Sequence, residues 1–131
     1  MRLRNRESDV LSGCLQWLTL QGVWCWRQNQ GAIPLPGGGF RRFVGLKGVS
    51  DILGILPQTV RVIETAAPVT FGNLLAVETK RPGEKLRAEQ EEFLRQVNQR
   101  GGIGLCVCSV SELAEKLEPY LRLECRGVTN Q

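Results

Sequence analysis

Residues 74–108 read as an apolar run, a charged helix and a second apolar run, and that order leaves a chain of this size few ways to fold. "LLAVETK" (residues 74–80) has the content of a core strand and is closed by Arg81-Pro82-Gly83. Over residues 84–100, Leu86, Phe93, Leu94 and Val97 fall on one helical face, and Gly101-Gly102 is a helix stop. "IGLCVC" (residues 103–108) is apolar again. Two strands joined by a helix are expected to lie parallel, through a right-handed crossover, with the helix on a face of the sheet.

The remaining segments fill in an α/β chain. Glu7, Ser8 and Asp9 suit a helix start, followed by Val10, Leu11, Cys14, Leu15 and Leu18 at helical spacing up to Gly22. "VWCWRQN" (residues 23–29) is aromatic and apolar, a first strand. Residues 30–48, rich in glycine and proline with embedded bases, read as a long loop. "VSDILGIL" (residues 49–56) is a second strand, and residues 57–73 leave open a further short strand and a turn. "SVSELAEKL" (residues 109–117) starts a last helix, with Ser109 and Glu112 spaced as a capping box. After Pro119 the expectation is a frayed tail or an edge element. The predicted order is αβββαβα, a mixed sheet with helices on its faces.

Composition narrows the chemistry more than the fold. At 131 residues a single domain, residues 1–131, is expected, and 23% charged with 42% apolar residues is the balance of a globule. Seventeen Lys and Arg against thirteen Asp and Glu give +4, which suits a nucleic-acid partner without requiring one. There is no histidine. That excludes Ser-His-Asp and Cys-His catalysis, a histidine general base and the usual zinc spacings. Five cysteines, an odd number with no signal peptide before them, argue against a disulfide framework, no CxxC pair offers a zinc spacing, and Cys106 and Cys108 read as alternate residues of a buried strand. Polar breaks at Gln16, Gln21 and Gly22 exclude a membrane span over residues 10–26. The cytosol is the expected compartment.

Against this background the acids stand out. Asp51 opens one apolar strand, and Glu78 and Lys80 close another, two residues apart and therefore on one face. If the two strands are neighbours, Asp51 and Glu78 converge. Two such carboxylates repel unless one is protonated or a divalent cation lies between them. Lys80 favours ionised acids, and ionised oxygen donors suit Mg²⁺ or Mn²⁺. Glu7 is either a first-turn residue stabilising the helix dipole or a third acid of the cluster. Gln90, on the apolar stripe of its helix, is either a satisfied boundary amide or part of the site. Arg41, Arg42 and Lys47 precede Asp51, with Arg27 and Asn29 earlier, and they serve either solvation of a loop or phosphate contacts. Trp24, Trp26 and the apolar residues 59–71 either pack the core or form an interface.

Taken together these residues resemble the PD-(D/E)XK nuclease superfamily and, within it, the VRR-NUC family. Ser50-Asp51 matches the "PD" element, Glu78-Thr79-Lys80 the "(D/E)XK" element, Glu7 the first-helix acid, and "EQEEF" (residues 89–93) the following helix. "RQNQG" (residues 27–31) and "GLKGVSD" (residues 45–51) are similar to the family's local patterns. Ser50 stands where the superfamily has proline, and residues 57–73 are longer and more apolar than a minimal link.

The resemblance implies a restriction-endonuclease-like αβββαβ core, a mixed sheet flanked by helices. It implies a Mg²⁺- or Mn²⁺-dependent endonuclease on DNA, selective for branched or four-way junctions and active as a homodimer. Glu7, Asp51, Glu78 and the Thr79 carbonyl would be the metal ligands. Lys80 would orient the attacking water or stabilise the developing charge, and Gln90 would steady Lys80 or that water. Arg27, Asn29, Arg41, Arg42 and Lys47 would bind nucleic acid. Two rival readings are a nuclease-like module that only binds nucleic acid or a partner, and a scaffold whose acids form salt bridges.

Overall fold

A computed structural model describes residues 6–28, 32–42, 45–61 and 63–121. The chain runs α1 (Glu7–Leu20), β1 (Trp24–Arg27), β2 (Ala32–Pro34), β3 (Phe40–Arg42), β4 (Ile52–Val60), β5 (Val69–Thr79), α2 (Ala88–Gln99), β6 (Ile103–Val107) and α3 (Val110–Leu121). Four strands form a sheet in the order β1-β4-β5-β6. β1 with β4 and β4 with β5 pair antiparallel, and β5 and β6, joined through α2, are parallel. This is the mixed sheet flanked by helices of a restriction-endonuclease-like core. Among the described residues, no helix is long and apolar enough to cross a membrane.

The alternation of β5 explains the layering. Leu75 and Val77 point to one face and pack with Val10, Cys14, Leu18 and Leu113, so α1 and α3 share that side. Ala76 points to the other face and packs with Leu94 and Val97 of α2. Burying a side chain such as Leu75, which is 0% exposed, contributes about 1.5–3 kcal/mol. In α3, Ser109 Oγ accepts from the Glu112 amide and the Glu112 carboxylate accepts from the Cys108 amide, so the predicted Ser-x-x-Glu pair caps this helix. Cys14, Cys25, Cys106 and Cys108 are free, with Cys14 in the core and Cys106 and Cys108 half-buried; Cys125 lies outside the described residues.

The structure departs from the expectations in four places. The predicted loop at residues 30–48 contains a hairpin, because Gly37, Gly38 and Gly39 turn the chain at positive φ and let β2 pair with β3. Residues 57–73 do not form a separate short strand. They extend β4 and β5 into one long ribbon whose register runs from Ile52 opposite Val77 to Val60 opposite Val69. Pro57 is tolerated because β1 ends at the Trp24–Ile55 pair, so β4 has a single neighbour there. The second helix starts at Ala88, not residue 84, since Glu84 instead closes the turn by accepting from the Arg81 amide. The last helix continues through Pro119 to Leu121, where a missing N–H near the helix end costs one bond only.

Candidate active site

The ribbon brings the two acids together. Asp51 immediately precedes β4, and Ile52 is opposite Val77, so Asp51 and Glu78 lie side by side at the same end of neighbouring strands. Two donors fix Asp51: the Thr79 amide and the Thr79 hydroxyl both reach its Oδ2 at 2.9 Å. Its backbone carbonyl accepts from the Gln28 amide at 2.8 Å, which ties the end of β1 to the same turn.

Glu78 is 1% exposed, on the face that meets α2. Its Oε1 accepts from Gln90 Nε2 at 2.9 Å. Its Oε2 is buried with no hydrogen-bond partner. Burial first, then the neighbouring Asp51 charge and the hydrogen bond that a protonated Glu78 shares with Asp51, push the Glu78 carboxyl from 4.5 up to about 8, with Lys80 opposing and Glu7 adding a small further push. Lys80 is itself 4% exposed, and its amide continues the ladder to the Val107 carbonyl at 2.9 Å.

Gln90 is held at both ends of its amide. The Arg87 amide donates to Gln90 Oε1 at 2.9 Å, a capping contact at the start of α2, which leaves Nε2 to donate to Glu78. The hydrogen bond that Gln90 makes towards the acids is to Glu78. A helix-start contact thus doubles as a support for a buried carboxylate.

The other expected residues fall at graded distances. Glu7, half-buried at the start of α1, is felt by Glu78 electrostatically. Among the described residues, no group of three or more carboxylate or thiol side chains is gathered closely enough to hold a metal, so Asp51 and Glu78 are a pair with Glu7 standing farther off. Arg27 ends β1 in register with Ile52, exposed beside the Asp51 turn. Lys47 is exposed on the wall of a cavity of about 610 Å³ between residues 46–47, Gly72–Leu74 of β5 and α2. Arg41 and Arg42 belong to β3, but their side chains, and all of Asn29, lie outside the described residues.

Three features escaped the sequence reading. Thr79 positions Asp51 through its side chain, a role invisible without knowing that the strands are neighbours. Ser50 is fully buried with no partner for its hydroxyl. Gly48, at φ +80°, lets the Asp51 loop lie directly on α2: a Cβ there would meet the Glu89 carbonyl oxygen at 2.0 Å. The repeated glycine of "GLKG" was the available signal.

Chemically, this is an acidic pair of hard oxygen donors with a buried lysine alongside. A carboxylate oxygen enclosed without a donor is an unusual feature that a proton or a cation resolves. Oxygen donors of this kind suit Mg²⁺ or Mn²⁺ rather than softer metals. The residues therefore fit the metal that the resemblance implies.

The fold and the paired acids define a nuclease-like α/β domain, and comparison with protein families makes the class specific. The VRR-NUC domain matches residues 5–112, and the chain belongs to this family of nucleases. No match is found among curated proteins or among solved structures.

Proposed function

We propose that this protein is a divalent-metal-dependent endonuclease that hydrolyses phosphodiester bonds in branched or four-way junction DNA, acting as a homodimer. The observation that carries the reading is the pairing of half-buried Asp51 with buried Glu78, whose Oε2 is partnerless beside Lys80. Asp51 and Glu78 would hold Mg²⁺ or Mn²⁺, with the Thr79 carbonyl and Glu7 as further ligands. When bound, the metal lowers the pKa of a water and neutralises charge on the phosphoryl group. Thr79 keeps Asp51 aimed into the site through two hydrogen bonds, and Gln90 does the same for Glu78. Lys80, held in a desolvated position, orients the attacking water or offsets charge at the phosphate. Arg27, Asn29 and Lys47, with Arg41 and Arg42 of β3, supply phosphate contacts, which position the DNA without reading its sequence.

Pairing of two copies would set two clusters about a two-fold axis, as a four-way junction presents its strands. The material for it is the outer part of the β4–β5 ribbon, where Val60, Val69 and Phe71 are exposed.

Calorimetric titration with Mn²⁺ and a cleavage panel of linear and branched DNAs test the reading together. Wild-type protein is expected to bind Mn²⁺ and cut. Asp51→Asn and Glu78→Ala are each expected to lose metal binding and at least about a thousandfold in cleavage, while DNA binding largely survives. Lys80→Ala should lose turnover but keep most of its metal affinity. Undiminished cleavage by the Asp51 or Glu78 variant would overturn the assignment, and DNA binding without cleavage by the wild type would favour a binding module.

A further inference from the structure

The sheet face that carries Glu78 is covered unevenly. α2 packs on it over β5 and β6, while α1 lies on the opposite face of β1, so among the described residues no helix covers the α2-side face of β1. Two tryptophans occupy that face. Trp24 is 70% exposed and Trp26 37%, an unusual amount of aromatic surface to leave in water.

Register places them with respect to the site. Trp26 is opposite Leu53, and Leu53 is opposite Ala76, so these three form a row across the sheet. Glu78 is one pleat beyond Ala76 on the same face. With strands about 4.8 Å apart and about 3.4 Å per residue, Trp26 lies about 12 Å from Glu78, and Trp24 one pleat farther. Trp26 Nε1 donates to Gln28 Oε1 at 3.2 Å, and the Gln28 amide donates to the Asp51 carbonyl, so the ring is coupled to the turn that carries the acid. Arg27, the next residue, is exposed and by alternation belongs to the other face of β1.

We propose that the Trp24–Trp26 pair is a stacking platform for unpaired nucleotides lying on one side of the bond cut at Asp51 and Glu78. The proposal rests on the nuclease reading and, of its branched and four-way substrates, favours branched DNA with at least two unpaired nucleotides beside the cut over a fully paired four-way junction. The ring centroids are 5.3 Å apart and the planes are inclined by 60°, a tilted contact that braces the two rings against each other, and the 70% exposure of Trp24 leaves its outer surface open to a base. Stacking tolerates any base, which suits an enzyme that selects structure rather than sequence. The +4 charge of the chain gives the net charge complementarity that a phosphate backbone requires.

The test is binding without added metal, measured by fluorescence anisotropy on a blunt duplex and on the same duplex carrying a short single-stranded arm. Trp24→Ala with Trp26→Ala is expected to weaken binding of the armed duplex at least about tenfold and that of the blunt duplex by no more than about twofold. The Trp→Phe pair, which keeps aromatic faces, is expected to retain most of the preference for the arm. Equal losses on both DNAs, or no loss, overturn the platform. So does a Trp→Ala pair whose mass by light scattering falls from dimer to monomer, which would assign the tryptophans to a protein interface. Wild-type protein that binds neither DNA overturns the nuclease reading as well, whereas wild-type binding with indifferent tryptophans overturns the platform alone.

Discussion

At one end of the β4–β5 ribbon, Ser50, Glu78 and Lys80 are buried at 0%, 1% and 4% exposure; at the other, Val60, Val69 and Phe71 stand 45%, 48% and 55% exposed. Between them the ribbon is an ordinary core, with Ile52, Leu75 and Val77 at 0%. The two ends therefore invert the usual partition in opposite senses. The buried polar end is held from several sides, by Thr79 on Asp51, Gln90 on Glu78, the Gln28 amide on the Asp51 carbonyl, and the Gly48 loop against α2. Among the described residues, the exposed apolar end is held by its own ladder and the hydroxyl bond between Thr59 and Thr70. A site that must keep two carboxylates in place needs a rigid surround. An arm that meets a partner needs only a presentable face.

The comparison is broken most forcefully at Gly48. Gly48→Ala adds a Cβ at positive φ and drives it into backbone atoms of Glu89 and Gln90, which have no side-chain torsion to yield. The expected loss is about 3–5 kcal/mol in urea unfolding. Gly83 also has positive φ, +84°, but nothing lies within 4 Å of its added Cβ, so Gly83→Ala should cost only about 1 kcal/mol. Equal losses at the two glycines would mean that the Asp51 loop is not docked on α2.

The next effect separates the ends by pH. In the folded protein the Glu78 carboxyl is pushed up to about 8 by burial and then by the Asp51 charge, against an ordinary value of 4.5. Between those values the folded protein keeps a proton that the unfolded chain has released. Without metal, this group's stabilising effect is fully present below about pH 4.5 and is lost as pH climbs towards 8. The slope can reach about 1.4 kcal/mol per pH unit. Asp51, Lys80 and Glu7 all act on this proton, but Glu78→Gln removes it and should flatten the slope. A variant of the apolar end, such as Phe71→Thr, should leave the slope untouched. Identical pH profiles for wild type and Glu78→Gln would place the titration elsewhere.

The two ends were also unequally legible in the sequence. Asp51, Glu78, Lys80 and Gln90 could be picked out because strand alternation and helix spacing are local, and each residue sits on the face that its spacing dictates. The helices and the strand–helix–strand unit followed from the same periodicities. What local pattern could not supply was contact between distant segments. The Thr79 hydroxyl on Asp51 joins residues 28 apart, and Gly48 against Glu89 joins segments 41 apart (89 − 48). The β2–β3 hairpin was missed because its strands are three residues each, too short for alternation to register, and its glycines read as loop. The arm was missed because a proline and a run of threonines and valines do not reveal that two strands continue past the sheet's edge.

Ser50 gives a smaller test at the buried end. Its hydroxyl is enclosed without a partner, so Ser50→Ala removes an unsatisfied group and little packing. The expected change is neutral to stabilising by about 1 kcal/mol, with no loss of Mn²⁺ binding. A loss of stability or metal affinity would mean that the hydroxyl serves the site.

The smallest effect on the isolated chain is expected at the exposed end. Val69 and Phe71 lie on one side of the arm with Val60, about half in water, so little of their apolar surface supports the monomer. Val69→Thr with Phe71→Thr keeps β-branched residues suited to a strand and should change monomer stability by no more than about 0.5 kcal/mol. The same pair should have a large effect on association if the arm joins two copies. The rings and methyls that cost little when removed from a monomer are then the buried centre of an interface, where a few apolar anchors carry most of the energy. Light scattering at micromolar concentration reads the difference. The wild type should run at twice 14.6 kDa and the Thr pair at 14.6 kDa, with its metal affinity unchanged because the acids lie at the far end of the ribbon. A wild type that stays at 14.6 kDa, alone and with DNA, would remove the dimer and leave the arm's apolar face to some other partner.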